Sequence, residues 1–259
     1  MRRKKLGVIG GIGPAATAYF YDLLTRLPNA STDQEHIETF IISRPSIPDR
    51  TAYILDRSAE SPIPMIIGAG RELAMMGADI IAIPCVTSHS FFEELSRGIS
   101  VPLINMIKET ADHVARAGVA CAGLLATDGT IRSGLFSGEL EARGVRTVVP
   151  SGHSQAVVMS LIYDDVKANR PVDIDRFLSA ADELRAKGAE TVVLGCTELS
   201  LIKRDFGLHA GYADALEVLA RRALELCGVG GAAPQELGVT RRNGAQELRD
   251  EGCGDVNAN

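Results

Sequence analysis

The chain has 259 residues and a formal net charge of −6, so its charge gives no reason to expect a nucleic-acid partner, which usually needs a basic face. Its hydrophobic content of 46% is ordinary for a globular protein, and the length allows one large domain or two small ones. No stretch reaches the roughly 18 apolar residues of a membrane span, so we expect no membrane association.

The cysteines argue against a disulfide framework or a zinc ribbon. There are five, an odd number, and none lies in a CxxC pair. The basic residues 2–5 do not begin a signal peptide, because glycines and a proline interrupt the apolar stretch that follows. We therefore expect a cytoplasmic protein with reduced thiols.

The first part of the chain alternates apolar runs with amphipathic segments. A strand at residues 5–9 is followed by a glycine-rich turn and a helix that begins at Pro14. The proline-rich residues 44–51 predict an irregular loop. The remaining pattern predicts strands at 36–43, 80–83 and 101–105, and helices at 65–76, 90–97 and 107–117.

The alternation then restarts, which predicts two similar lobes instead of one long sheet. Strands that alternate with helices indicate βαβ units and mostly parallel sheets flanked by helices, an α/β fold. The tail at 228–259 has no hydrophobic period, so we expect it to be disordered and its Cys253 not to be functional. The second half predicts strands at 119–126, 145–149 and 191–194, a capping turn at 127–130, and helices at 155–169, 175–187 and 212–227.

Two stretches repeat one pattern, residues 77–89 (GADIIAIPCVTSH) and residues 188–200 (GAETVVLGCTELS). Each has a Gly-Ala-acid turn, an apolar run typical of a buried parallel strand, and a cysteine followed closely by threonine. Ligands of open α/β sheets bind just beyond the carboxyl ends of such strands. The repeat therefore predicts that Cys85 and Cys196 face each other across one cleft.

A buried cysteine often serves only as a small hydrophobic residue, and Cys121 and Cys227 fit that description. Cys85 and Cys196 differ because each follows a strand and precedes a helix, beside a threonine. A helix N-terminus favours the thiolate and lowers the pKa of a thiol. We therefore interpret these two thiols as a functional pair.

The glycine-rich turn at residues 11–16 fits the G-x-G-x-x-A motif of dinucleotide-binding proteins. However, the second strand lacks the acidic residue that would bind a ribose, since it ends at Ile42, Ser43 and Arg44. A turn at Gly11 and Ile12 whose backbone N–H groups bind a small carboxylate is the favoured alternative.

Three further side chains have both a functional and a structural interpretation. His89, four residues after Cys85, could form a Cys–His nucleophilic pair, but a cap or packing role is favoured and no metal-ligand spacing is found. Lys167 could simply complement a helix dipole. Arg50 lies in the proline-rich loop, where a planar guanidinium suits bidentate carboxylate binding.

Together these segments resemble the aspartate/glutamate racemase family of cofactor-independent amino-acid racemases. The resemblance spans about residues 5–226, and its matching pieces are GVIGGIGP (7–14), SIPDRT (46–51), IPCVTSH (83–89), LLATDGT (124–130), VMSLIYDDVK (158–167) and LGCTEL (194–199). It implies two flavodoxin-like lobes with the active site between them. Residues 1–102 and 212–227 would form the first lobe and residues 103–211 the second. It also implies no cofactor, a homodimer, and an amino acid or small dicarboxylate as substrate.

The resemblance further implies a two-base mechanism, in which a thiolate removes the α-proton and a thiol returns a proton to the opposite face. Cys196 would act on the L enantiomer and Cys85 on the D enantiomer. Arg50 and Lys167 would hold the side-chain carboxylate of an acidic substrate. The further substrate-binding candidates are Thr87, Thr127 and Thr197 for the α-carboxylate, together with Gly11, Ile12, Val86 and Glu198.

One departure from the family concerns Val86, since the family usually has asparagine after the first cysteine. Valine has no side-chain group that could hydrogen-bond the substrate. Two alternatives therefore stay open beside the racemase. One is a related isomerase or decarboxylase of small dicarboxylates, such as the maleate isomerases and arylmalonate decarboxylases. The other is a carboxylate-binding homologue without activity.

Overall fold

The first lobe is built on a parallel three-stranded sheet in the computed structural model, which describes residues 3–230 and residue 237. Its strands are β1 (Leu6–Gly10), β2 (Thr39–Ser43) and β3 (Ile80–Ala82), in the order β2-β1-β3. Every residue of β1 is buried, as its uninterrupted apolar sequence requires. The predicted strand at 101–105 reaches the sheet only through a bridge between Ile81 and Leu103.

Helices pack around this sheet and lead from it towards the second lobe. The proline-rich segment is not wholly irregular, because a short helix begins at Arg50, after Asp49 accepts a hydrogen bond from the backbone N–H of Ala52. The helices of this part are α1 (Pro14–Arg26), α2 (Arg50–Leu55), α3 (Ile63–Met75), α4 (Phe92–Gly98) and α5 (Met106–Arg116), with 3₁₀ helices at Asp33–Glu35 and Val86–Phe91.

The second lobe has a parallel four-stranded sheet in the order β5-β4-β6-β7. Its strands are β4 (Cys121–Leu125), β5 (Arg146–Val148), β6 (Thr191–Leu194) and β7 (Tyr212–Asp214). Its helices are α6 (Asp128–Ser133), α7 (Leu135–Glu141), α8 (Gly152–Ser160), which continues into a π-helix at Leu161–Val166, α9 (Ile174–Ala186) and α10 (Thr197–Asp205). The predicted architecture of two parallel-sheet α/β lobes is confirmed.

The predicted last helix begins later in the structure than the sequence indicates. Residues 212–214 form strand β7 of the second sheet, paired with β6, and not the first turn of a helix in the first lobe. The helix α11 (Ala215–Leu226) starts only after Asp214, whose carboxylate accepts hydrogen bonds from the N–H groups of Leu216 and Glu217. The capping carboxylate therefore separates strand from helix. The division of the rest of the chain into lobes stays a prediction.

The lobes share a hydrophobic core as well as having cores of their own. One cluster joins β1 and α1 of the first lobe to α5, β4 and α11, so that apolar packing continues from one sheet to the other. Each sheet also has one further cluster on its outer side. Within the described ranges, no helix has the length and apolar character that crossing a bilayer demands. Most of the predicted tail at 228–259, including Cys253, lies outside the described residues.

The glycine-rich turn after β1 is held by one buried hydroxyl. Thr17 Oγ1 accepts a hydrogen bond from the N–H of Gly11 at 3.0 Å and donates one to the carbonyl of Gly13 at 2.9 Å. Gly11 has φ +84°, and a Cβ there would lie 2.3 Å from the backbone nitrogen of Arg44. Only glycine combines this conformation with so close an approach of two backbone segments.

We expect Thr17→Val to destabilise the protein, because it removes both side-chain hydrogen bonds and leaves the buried N–H of Gly11 without this acceptor, while the Gly13 carbonyl keeps the backbone N–H of residue 17. The free energy of unfolding should fall by about 1–3 kcal/mol. Chemical denaturation measures this change. The control is Thr25→Val on the same helix, where the hydroxyl bonds an exposed carbonyl; equal losses in the two variants would contradict the assignment.

Candidate active site

The two repeated cysteines occupy equivalent places at the carboxyl ends of two strands. Cys85 follows β3 and caps the 3₁₀ helix, and Cys196 follows β6 and caps α10, each with an extended backbone. Their exposed fractions are only 6% and 5%. Both line one closed cavity of about 10 Å³ between the lobes. The other lining residues are Ile12, Arg50, Thr51, Val86, Thr87, Thr127, Tyr163, Lys167, Thr197 and Glu198.

Arg50 supplies a buried positive charge beside Cys85. It is 7% exposed, and its Nη1 donates to the carbonyls of Ile47 and Pro48, so the proline-rich segment fixes the guanidinium. Burial acts to lower the pKa of Arg50, but the charges of Cys85 and Asp49 outweigh it and the pKa is raised. The group is therefore always cationic. A negative sulfur, or a carboxylate placed near it, would be stabilised by this charge.

Cys196 is hydrogen-bonded to a carboxylate. Its Sγ donates to Glu198 Oε2 at 3.0 Å, and the other oxygen of Glu198 lies 3.4 Å from Lys167 Nζ. Burial raises the pKa of Cys196 well above its ordinary value, and the charge of Glu198 raises it further. The expectation that a helix N-terminus would lower this pKa is therefore wrong for the closed site, because desolvation and a neighbouring anion outweigh the helix dipole.

Lys167 is the second cation of the cavity. Its side chain is 25% exposed and lies against the ring of Tyr163, with Nζ 4.9 Å from the ring centroid. Burial acts to lower the pKa of Lys167, but the charges of Glu198 and Cys196 outweigh it and the pKa is raised. Lys167 is thus charged and already paired, so a substrate carboxylate that binds it has to share it with Glu198.

A hydrogen bond joins the lobes at the cavity rim. The hydroxyl of Tyr163, in the π-helix, donates to Asp49 Oδ2 at 3.1 Å. Asp49 precedes Arg50 and caps its helix, whereas Tyr163 lies one turn before Lys167. Burial raises the pKa of Tyr163 to about 12, with a further contribution from the charge of Asp49, so the phenol remains a donor. One contact therefore links the segments that carry the two cations.

Three threonine hydroxyls form a buried triangle, and two of the three residues, Thr87 and Thr127, line the cavity. Oγ1 atoms of Thr87, Thr127 and Thr130 lie 3.1 Å from one another. Thr87 comes from the first lobe, and the other two come from the start of α6, which Thr127 caps as predicted. Hydroxyls can rotate to donate, so this cluster can present O–H groups to an anion in the cavity.

The remaining candidates are placed differently. Val86 and Ile12 give the cavity an apolar side, and Thr197 lies at the start of α10 beside Cys196. Gly11 does not line the cavity, and its N–H is already taken by Thr17. The structure therefore does not bring this amide to the thiols, because the turn uses it to bind its own helix.

His89 has a structural place below Cys85. Its Nδ1 lies 3.0 Å from the carbonyl of Cys85 and its Nε2 3.3 Å from the carbonyl of Ile104, at 3% exposure. Burial lowers the pKa of His89, which favours the neutral ring. Its ring nitrogens face backbone carbonyls, which agrees with the favoured cap or packing role and not with a Cys–His pair.

The sequence patterns missed Thr130, Tyr163 and Asp49. Signals for each exist in hindsight. Thr130 lies three residues after the capping Thr127, Tyr163 lies four residues before Lys167, and Asp49 directly precedes Arg50. Helical spacing places the first two on the same face as the predicted residues, and an aspartate directly before a helix is typical of an N-cap. What no spacing reveals is that the partners come from different lobes.

We expect Tyr163→Phe to loosen the closed cleft, because it removes the hydroxyl bonded to Asp49 and keeps the ring that covers Lys167. The free energy of unfolding should fall by about 1–2 kcal/mol, since bonds to charged acceptors are among the stronger ones. Iodoacetamide should also alkylate Cys85 and Cys196 faster than in the parent. Tyr21→Phe, at a 48% exposed surface position, is the control; parent-like alkylation in both variants would contradict the expectation.

Comparisons with known proteins agree with this geometry. The broad specificity amino-acid racemase RacX of Bacillus subtilis is 28% identical over 206 residues, which cover 76% of this chain and 86% of that protein. Among solved structures, Picrophilus torridus aspartate racemase is similar with a TM-score of 0.80 and 29% identity, covering 91% of this chain and 99% of that one.

A glutamate racemase from Francisella tularensis, solved in complex with D-glutamate, has a TM-score of 0.60 at 19% identity and covers 87% of this chain and 81% of that one. At that identity it shows the shared fold alone. The family model described as Asp/Glu/Hydantoin racemase matches residues 9–223, a range that includes both cysteines of the cavity and every strand except the first three residues of β1. The resemblance found in the sequence is thus confirmed, and this chain belongs to the Asp/Glu/Hydantoin racemase family.

Proposed function

We propose that this protein is a racemase of an acidic amino acid, aspartate or glutamate, and that Cys85 and Cys196 transfer the proton at the α-carbon. The observation that carries the proposal is that both thiols line a single cavity closed off from solvent. Each thiol ends a strand of a different lobe, so a small molecule held between the lobes has one sulfur on either side. A proton can then leave one face of the α-carbon and return to the other.

The chemistry needs one thiolate and one thiol at a time. The thiolate takes the α-proton as the C–H bond breaks, and the electron pair stays on the α-carbon and its carboxylate. The other thiol then donates its proton to the opposite face, which leaves the two sulfurs with exchanged protonation. In the structure Cys196 holds its proton in the bond to Glu198, and Cys85 lies beside the Arg50 charge. This arrangement supports Cys85 as the first base.

The α-carbanion is the difficult intermediate, since the α-proton of an amino acid is very weakly acidic. Donors already aimed at the developing charge stabilise such a species most where water is excluded. The hydroxyls of Thr87, Thr127 and Thr130 and the N–H groups at the start of α10 are candidates for holding the α-carboxylate.

Two cations favour a substrate with a second carboxylate. Arg50 and Lys167 line the same cavity and are both held cationic by neighbouring anions. A neutral amino acid would leave this positive charge less well compensated. The similarity to an aspartate racemase supports the same substrate class.

Val86 changes how the substrate amino group can be bound. It is 2% exposed and offers no polar atom, whereas Glu198 is the one carboxylate among the described residues that line the cavity. We therefore propose that Glu198 receives the ammonium group. A less constrained amino group would also permit several substrates, which the similarity to the broad specificity racemase RacX supports.

The direct test is incubation with L-aspartate, L-glutamate and neutral L-amino acids in heavy water, followed by chiral analysis. We expect the D enantiomer to accumulate from an acidic substrate, with deuterium at the α-position. Binding of aspartate without isotope exchange would instead support a carboxylate-binding homologue. Inert aspartate together with turnover of maleate or an arylmalonate would support the isomerase or decarboxylase.

We expect Cys85→Ser and Cys196→Ser each to abolish measurable racemisation, because a lost acid–base group costs about 10²- to 10⁴-fold in rate. The remaining thiol still faces one side of the substrate. Cys85→Ser should therefore retain slow deuterium exchange of the L enantiomer, and Cys196→Ser that of the D enantiomer. Chiral chromatography with mass detection measures both quantities.

The control for this pair is Cys121→Ala, which changes a buried cysteine of β4 outside the cavity and should racemise like the parent. Circular dichroism should show all three variants to be folded. Undiminished racemisation in both serine variants would refute the two-thiol mechanism.

We expect the pH dependence of kcat/KM to reach into the alkaline range, because the acid thiol has to stay protonated. The pKa of Cys196 is raised, first by burial and then by Glu198, so activity is lost only as the pH rises through that raised value. Glu198→Gln removes the negative charge and should move the alkaline limb to lower pH. Both enantiomers should show the same shift, since they are equal in free energy.

The control for the pH profile is Glu93→Gln, at a side chain 91% exposed on α4. It should leave the alkaline limb in place. An alkaline limb that Glu198→Gln does not move would exclude Glu198 as a determinant of the pKa of Cys196.

A further inference from the structure

Two short helices bring opposite walls of the cavity together. Helix α2 begins at Arg50 in the first lobe, and helix α6 begins directly after Thr127 in the second. The two helices are in contact, and the residues that follow these two cavity-lining side chains form the contact. The distance between α2 and α6 therefore sets the distance between a cation of one lobe and a hydroxyl of the other.

Gly129 of α6 lies directly against Thr51 of α2. A Cβ at this position would lie 3.0 Å from Thr51 Cα, 3.1 Å from its Oγ1 and 3.3 Å from its Cβ. The nearest atom belongs to the backbone, which cannot rotate away as a side chain can. A contact at 3.0 Å is well inside the roughly 3.5–4.0 Å of normal carbon–carbon packing. An added methyl group would therefore push the two helices apart.

The conformation of α6 does not itself demand glycine at this position. Gly129 does not have a positive φ, and it is the buried second residue of α6. Glycine in a helix interior is less favourable than alanine by roughly 0.5–1 kcal/mol. Space between the lobes accounts for this residue, and helix propensity does not.

Gly13 makes a useful contrast. A Cβ there would lie 2.9 Å from Glu198 Oε1, which is the far end of a flexible side chain. Rotation of Glu198 can relieve that contact without moving either lobe. Gly129 has no such relief, so of the two positions it is the one that limits closure.

We propose that Gly129 is a positioning residue, which sets the separation of the lobes in the closed state and hence the placement of Cys85 and Cys196 on the two faces of the substrate. The catalytic part of this inference rests on the proposed racemase function. The cavity between the lobes is small and both thiols are almost fully buried, so the walls of the site lie close together in this structure. Misplacement by 1 Å can reduce a rate by about 100-fold.

The test compares Gly129→Ala with Gly138→Ala. Gly138 lies on the neighbouring helix α7, and a Cβ there would meet nothing within 4 Å. For each variant, iodoacetamide alkylation of Cys85 and Cys196 is followed by peptide mass spectrometry. The constants kcat and KM are measured with the amino acid that the heavy-water incubation shows to be racemised. Thermal unfolding confirms that the variants are folded.

We expect Gly129→Ala to alkylate faster at both thiols and to lose several-fold, up to about 10-fold, in kcat, because a shift of a few tenths of an ångström relieves the contact. Gly138→Ala should match the parent in both measurements. The double variant Gly129→Ala with Thr51→Gly removes two of the three contacting atoms, so its alkylation rates should lie between those of Gly129→Ala and the parent. A merely structural role for Gly129 would change unfolding but neither the alkylation rates of the folded protein nor kcat.

Alkylation and kcat equal to the parent in folded Gly129→Ala would overturn the proposal. If Gly129→Ala does not fold, the double variant is compared with Thr51→Gly alone, because the contact of the added Cβ with Thr51 Cα remains; equal alkylation rates in these two variants overturn the proposal. Faster alkylation of Gly129→Ala in a protein whose parent racemises nothing would support the role of Gly129 in closure and would refute the proposed function separately.

Discussion

Opposite charges enclosed between the lobes are the constraint on which the closed cavity depends. Arg50, Lys167 and Glu198 all line it, and an ionised group removed from water is tolerated only with a partner. Lys167 and Glu198 form such a pair, and Glu198 also accepts a hydrogen bond from the thiol of Cys196. This pair lies within the second lobe, whereas Arg50 belongs to the first lobe and also interacts with the charge of Glu198. Part of the charge compensation therefore forms only when the lobes close.

The fold of the two lobes explains how two cysteines that are distant in sequence come to line the same cavity. Parallel strands end at the same edge of a sheet, and each lobe places a cysteine there as the first cap of a helix. Apolar packing that continues across α1, α5 and α11 holds the lobes side by side. The polar contacts at the rim, such as Tyr163 with Asp49, then adjust their separation. The shared core thus stabilises the arrangement of the two lobes, and the polar contacts at the rim set the distance between the cavity walls.

The apolar side of the cavity gives this family member its own character. Val86 and Ile12 contact the same space as the charged groups, so polarity is concentrated on one side. Under the proposed function, a substrate would then be oriented by its carboxylates more than by its amino group. Selectivity in such a site depends on how well each anion compensates the cations, since an unpaired buried charge is costly.

The sequence by itself determined the duplicated α/β plan, because apolar runs of strand length and their turns are local patterns. It also predicted Cys85 and Cys196 from their repeated position and Arg50 from its proline-rich segment, whereas Lys167 became a candidate through the family resemblance. It could not reveal β7, because a three-residue strand before a helix resembles the first turn of that helix.

Only the tertiary structure decided which groups meet. The bond of Tyr163 to Asp49, the triangle that Thr130 completes, and the close approach of Gly129 to Thr51 all join segments distant in sequence. The pKa of Cys196 likewise depends on burial between the lobes, which reverses the effect expected from its helix alone. Local patterns fix backbone conformation, whereas desolvation and contacts across a cleft exist only once both lobes have folded against each other.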